Sequence, residues 1–278
     1  MTSDLSIWHT MCRVHFFEEQ CHQALVDGRV KCFTYLSSGQ EAIAAAVAEA
    51  VKDIKVNVFC QHRNHDKFIA FGGDVEKLRD ELLGLPTGTT GGIGGDPAHH
   101  FKTDKVWMVG HDGLVASQIP IAVGMAFASH QPSICFLGDS SVEEETFAPS
   151  IGFAVTHKLP VLFVEEDNGL SVITEKSKRR AWSSGEVAVG YGCNTIDLPD
   201  EPFSLYNTIA DIAEGDDKEP WYFHITTCRK YRHVGAGNDG PMAWDRMAMV
   251  REAMIERYGM GAQKLEAQAK KEMEELWA

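Results

Sequence analysis

Two apolar, strand-like runs, Ser133–Leu137 and Pro160–Val164, lie about 25 residues apart, and they constrain the fold more than any other stretch of the chain. Each run ends in a polar cluster, Gly138-Asp139 in one case and Asp167-Asn168-Gly169 in the other. Between them, Phe147, Ile151 and Ala154-Val155 recur at helical spacing, so the segment Phe147–Thr156 can lie across a sheet as a right-handed crossover. The stretch therefore predicts a βαβ unit with both polar clusters at the carboxyl ends of neighbouring parallel strands, the edge where open α/β sheets bind ligands. Asp139 offers a carboxylate and Asn168 an amide oxygen, the hard donors that Mg²⁺ or Ca²⁺ prefers. Because Mg²⁺ usually completes its shell with phosphate oxygens and water, the pair predicts a metal-held diphosphate. The alternative is that the two clusters only turn the chain.

The rest of the chain can support such a unit. It has 278 residues, 44% of them hydrophobic, enough for one large α/β domain or two ordinary ones. Its 26 Lys and Arg stand against 40 Asp and Glu, and the resulting net charge of −14 argues against nucleic acid or an anionic membrane as the main partner. The seven cysteines show no Cys-x-x-Cys spacing and several lie in apolar runs, which predicts buried, reduced thiols of a cytoplasmic protein. The segment MTSDLSIWHT has neither the basic nor the apolar region of a secretory signal, and no run of eighteen apolar residues occurs.

Amphipathic spacing predicts an entry helix over Leu5–Leu25, stopped at Asp27-Gly28, then an alanine-rich helix after Ser37-Ser38-Gly39. Val56–Cys60 reads as a strand running into Gln61-His62-Arg63-Asn64-His65-Asp66, where Arg63 can form a bidentate pair with phosphate. A helix over Val75–Leu83 precedes GLPTGTTGGIGGDPAHHF, either a mobile lid or backbone that approaches a ligand or partner closely. The basic run 176–180 reads as a solvated loop, with partner contact as the second possibility. A strand over Pro220–Thr226 leads into a loop containing Arg229 and His233, and the tail from Trp244 onward is amphipathic helix.

The Asp139 and Asn168 clusters resemble the thiamin diphosphate signature, Gly-Asp-Gly followed about thirty residues later by Asn. The form is that of alpha subunits of the decarboxylating component of 2-oxo acid dehydrogenases. Gly39-Gln40-Glu41-Ala42, Arg63, Gly113–Pro120 and the loop Thr227–Gly235 resemble further segments of the same family in the same order. The resemblance implies an α/β thiamin diphosphate-binding fold with a mainly parallel sheet and flanking helices. It extends over a single domain spanning 1–278, with an N-terminal helix in 1–30 and a helical tail in 243–278.

The resemblance also implies a site. Asp139, Asn168 and the Leu170 carbonyl would hold Mg²⁺; His62, Arg63, Gly138, Asp139, Ser140, Ser141 and Asn168 would meet the diphosphate; the backbone at Gly113 and Val115 would meet the aminopyrimidine. His233 falls on the family's catalytic His. His99 is the nearer match to a second active-site His, and a one-residue insertion leaves His100 as its rival. Four positions depart from the family pattern: His62 stands for Tyr, Ser140 for Gly, Leu170 for the common aromatic and Val234 for a Ser. The implied activity is decarboxylation of a 2-oxo acid and transfer of its acyl group, with His233 and His99 hydrogen-bonding substrate. A beta subunit in an α₂β₂ assembly would supply the catalytic Glu, and a lipoyl transacylase is a further possible partner. A carboligating or ketol-transferring enzyme and a non-catalytic, cofactor-holding subunit are the alternatives. A nicotinamide-dependent dehydrogenase is disfavoured, since no strand is followed by the glycine fingerprint.

Overall fold

The computed structural model describes residues 1–215 and 218–278. In chain order its strands are β1 (Val56–Phe59), β2 (Phe101–Lys102), β3 (Val106–Val109), β4 (Ser133–Gly138), β5 (Val161–Asp167), β6 (Leu170–Ser171), β7 (Thr174–Glu175), β8 (Asn194–Pro199) and β9 (Trp221–Thr226). The helices are α1 (Ser3–Val26), α2 (Glu41–Ala50), α3 (His65–Ala70), α4 (Val75–Leu82), α5 (Gln118–Ser129), α6 (Phe147–Thr156), α7 (Lys176–Arg179), α8 (Ser184–Gly190), α9 (Pro202–Glu214), α10 (Arg246–Tyr258) and α11 (Met260–Trp277).

Seven strands form one sheet in the order β2-β3-β1-β4-β5-β9-β8, parallel throughout except for the antiparallel edge strand β2. The predicted βαβ unit is its centre: β4 pairs with β5 from Ser133↔Val161 to Gly138↔Glu166, and α6 covers the crossover. Strand alternation sends neighbouring side chains to opposite faces. Ile134 and Phe136 join Phe17, Val47 and Leu205 on one face, under α1, α2 and α9. Cys135 and Leu137 join Ile119, Ile151 and Ala188 on the other, under α5, α6 and α8. A third apolar cluster ties α10 and α11 back to α1 and α2 through Trp8, Met11, Met254 and Ala269. The tail is thus packed, and the indole of Trp8 donates to the carbonyl of Ala262.

All seven cysteines are free thiols, five of them buried. No helix among the described residues is long and apolar enough to cross a membrane.

Candidate active site

Four adjacent strands, β1, β4, β5 and β9, deliver their carboxyl ends to one cleft. β1 leads into Gln61, His62 and Arg63; β4 into Gly138, Asp139 and Ser140; β5 into Asn168 and Leu170; β9 into Arg229 and His233. Gln40, at the start of α2, closes the cleft from the helix layer, and its Oε1 accepts a hydrogen bond of 3.1 Å from the Asn168 amide. The neighbouring Gly39 is required by packing. At φ +95°, a Cβ there would stand 2.4 Å from the carbonyl oxygen of Cys228. The helix start and the loop carrying Arg229 and His233 consequently lie in contact, and Lys230 N donates to the Ser38 carbonyl.

Charge in the cleft is unevenly compensated. Asp139 is almost fully buried, and burial, reinforced by the charge of Asp167, raises its carboxyl above the usual range. The guanidinium of Arg179 pairs with it. The Asn168 Oδ1 accepts from Leu170 N at 3.2 Å, which fixes the turn after β5. Arg63 is buried, donates to the carbonyl of Leu36, and has no carboxylate partner among the described residues. Below it, Lys67 bridges Asp66 at 2.9 Å and Glu166 at 2.6 Å. Burial lifts Glu166 to about 7 against the pull of Lys67, and its second oxygen has no partner among the described residues.

Two imidazoles and a phenol ring meet at the cleft mouth: His62, His233 and Tyr35, with ring centroids 4.5 to 5.1 Å apart. Burial first, and then the positive field of Arg63 and Arg229, pushes His233 down to about 4. The same causes, burial and Arg63, hold His62 well below its ordinary value. Both rings are therefore neutral at pH 7.

The structure brings together His62, Arg63, Gly138, Asp139, Ser140, Asn168, Leu170 and His233. Ser141 follows Ser140, fully buried, with a hydroxyl that has no partner among the described residues. Gly113 and Val115 lie outside the cleft on the exposed β3–α5 loop, where Leu114 is also bare to solvent. The structure places His99 away from this cleft. It is wholly buried, 3.3 Å from the Thr89 hydroxyl and 3.4 Å from Asp96, and does not line the cleft. His100 is exposed, with its Nδ1 3.2 Å from the Ala98 carbonyl.

Asp96, which motif reading passed over, holds a buried triad. His65 lies between Asp96 (2.6 Å) and Glu18 (3.1 Å), all three inaccessible to solvent. Burial opposes a charge on His65, but Asp96 and Glu18 outweigh it and raise the imidazole well above its ordinary value. The same carboxylates accept the Tyr35 and Ser37 amides, so the triad orients the segment that presents the Tyr35 ring and the Leu36 carbonyl to the site.

Two further sequence expectations change. The glycine-rich loop is tied down: Thr90 N (2.6 Å), Gly92 N (3.0 Å) and Gly95 N (3.1 Å) all donate to the buried carboxylate of Glu81. The basic run is no solvated loop either. Lys176 pairs with Asp167, Arg179 with Asp139, and Arg180 with Glu165. Gln40 and Gln61 lie in segments that the sequence singles out, but like Glu166 they carry no role there, because nothing in a Gln or Glu side chain marks it as facing a cleft.

The profile of the family described as "Dehydrogenase E1 component" matches residues 9–203. The alpha subunit of the pyruvate dehydrogenase E1 component of Zymomonas mobilis is 31% identical over 194 residues, covering 68% of this chain and 54% of that protein. The alpha subunit of acetoin:2,6-dichlorophenolindophenol oxidoreductase of Bacillus subtilis is 31% identical over 243 residues, 84% of this chain and 72% of that one. A Rickettsia bellii pyruvate dehydrogenase E1 alpha subunit is 30% identical over 238 residues, 81% of this chain and 70% of its own. The match thus spans from about half to under three-quarters of these relatives. With a matching profile over most of its length and the motifs assembled at one sheet edge, the chain belongs to the dehydrogenase E1 component family.

Proposed function

We propose that this chain is the alpha-type subunit of a thiamin diphosphate-dependent enzyme that decarboxylates a 2-oxo acid and passes on the acyl group. The observation that carries the reading is the convergence of Asp139, Asn168, Arg63 and His233 from four adjacent strand ends in a family member. The residues fit the cofactor. Arg63 is a buried cation without a carboxylate, as a diphosphate would require, and Gly138 leaves open backbone beside Gln61. Asp139 already carries a cationic partner, and the Asp139 carboxylate, Asn168 Oδ1 and Leu170 carbonyl are the hard donors that suit Mg²⁺.

When bound, thiamin diphosphate supplies the carbanion chemistry, and the protein supplies binding, orientation and electrostatics. Arg63 and the backbone after Gly138 would hold the diphosphate, and Asp139, Asn168 and Leu170 the metal. Neutral His233 would donate a hydrogen bond to the substrate carboxylate or to developing oxyanion charge. Arg229, fixed by Asp239 and the Val172 carbonyl, holds the His233 loop in place. His99, buried behind Asp96, takes a structural part here.

The apolar side chains Phe33, Ile93, Leu114, Val115, Ile173 and Val234 are exposed. A beta subunit would cover them and bring the catalytic Glu, in an α₂β₂ assembly. A lipoyl transacylase as acyl acceptor and a cytoplasmic location complete the reading. The test combines the chain with its beta partner and follows CO₂ release from pyruvate and branched 2-oxo acids, with and without thiamin diphosphate and Mg²⁺. Cofactor-dependent CO₂ release supports the reading. Carboligation without decarboxylation, or no turnover by the assembled pair, overturns it.

A further inference from the structure

The segment after Asn168 doubles back over the cleft. β6 and β7 form a small hairpin, Lys176 N donates to the Gly169 carbonyl at 2.8 Å, and α7 then carries its cations to the strand ends. Three of the four cations in 176–180 meet a carboxylate of the central βαβ unit. Lys176 pairs with Asp167, Arg180 reaches Glu165 at 3.1 Å, and Arg179 bridges Asp139 and Glu143. The Arg179 side chain is 11% exposed, whereas Lys178, on the same helix turn, is 69% exposed and reaches only Glu175 at 3.6 Å. A guanidinium thus occupies the carboxylate that the site offers to a divalent cation.

We propose that Arg179 is a built-in competitor for that cation, so that loading the site expels its side chain from Asp139 and loosens the strap 170–180. The inference rests on the reading of Asp139 as a cation ligand. Its physical basis is like-charge exclusion: one buried carboxylate cannot pair closely with a guanidinium and a dication together without bringing the two positive charges into contact. Lys176 and Arg180 keep their own partners, so the strap stays anchored at Asp167 and Glu165 while Arg179 retains Glu143 within reach.

The experiment uses the chain assembled with its beta partner. Mn²⁺ binding in the presence of thiamin diphosphate is measured by calorimetry, and amide hydrogen exchange over 170–182 is measured with and without the two. Arg179→Gln should bind Mn²⁺ about tenfold more tightly, the order of a charge-assisted contact removed from competition. Lys178→Gln makes the same change of charge away from Asp139 and should leave affinity unchanged. In the wild type, Mn²⁺ with thiamin diphosphate should speed exchange over 176–180, and in Arg179→Gln exchange there should be fast before any cation is added. Unchanged or weaker binding in Arg179→Gln overturns the competition, as does slower exchange of the strap on loading. Absence of Mn²⁺ binding in both proteins overturns the reading of Asp139 itself. The exchange difference between the two cation-free proteins still decides whether Arg179 latches the strap.

Discussion

Asp96→Asn tests the buried triad most directly. The substitution keeps the volume of the side chain and removes its charge from between His65 Nε2, at 2.6 Å, and the Tyr35 amide. Breaking a buried ion pair by removing one partner costs about 3–5 kcal/mol. Glu18 remains 3.1 Å from the other ring nitrogen, so the lower end, about 3 kcal/mol, applies. For a chain of this size that corresponds to a melting temperature lower by roughly 6 °C or more.

The pH dependence is the sharper signature. The raised value of His65 means that its contribution is fully present below about 6.5 and is lost as pH rises toward the raised value. Asp96 is wholly buried, which alone would raise its carboxyl, but the charge and hydrogen bond of His65 hold it well below the carboxylate range. Its contribution is present above about 3.9 and is lost as pH falls further. The gap between wild type and Asp96→Asn should therefore be widest between about pH 4 and 6.5 and narrow on either side. Thermal unfolding of the assembled protein from pH 4 to 9 measures it. A gap below about 1 kcal/mol, within the range of an exposed pair, or one constant across that range, would refute a charged triad. The same variant should weaken thiamin diphosphate binding, because Asp96 anchors the segment whose Leu36 carbonyl receives Arg63.

His233→Ala should lower turnover by about 10²–10³, the loss typical of one donor to developing charge, and leave cofactor affinity nearly unchanged. Because His233 sits at about 4, the wild-type rate should show no His233 limb between pH 5 and 8, and a limb near 6.5 traceable to that ring would count against its burial. Asp139→Asn should abolish most of the stabilisation that Mg²⁺ and thiamin diphosphate confer, about 2.7 kcal/mol at a hundredfold excess over Kd; calorimetric melts with both present decide it. Glu81→Ala should leave the amides of Thr90, Gly92 and Gly95 without their acceptor and make 84–95 a ready protease site; a wild-type loop cleaved equally fast would contradict its anchoring.

Local pattern alone determined the central unit. Two continuous apolar runs, a helical stripe between them and a polar cluster after each predict parallel neighbours, so Asp139 and Asn168 could be placed on one edge before any coordinates. Arg63 and His233 were legible for the same reason: each follows a strand, and parallel strands end at one edge. Sequence could not reach properties that depend on what comes close across long separations. His99 bears a motif-like position, yet the fold buries it against Thr89 and Asp96. The glycine-rich loop looks mobile in composition, but Glu81, on a preceding helix, supplies the anion that its amides need. The basic run looks solvated, but strand ends 9, 15 and 40 residues away along the chain hold its cations. Even the neutrality of His233 belongs to tertiary structure, since burial and two arginines from different strand ends set it. Side-chain periodicity is a property of the chain itself; burial and electrostatic fields are sums over neighbours that only folding assembles.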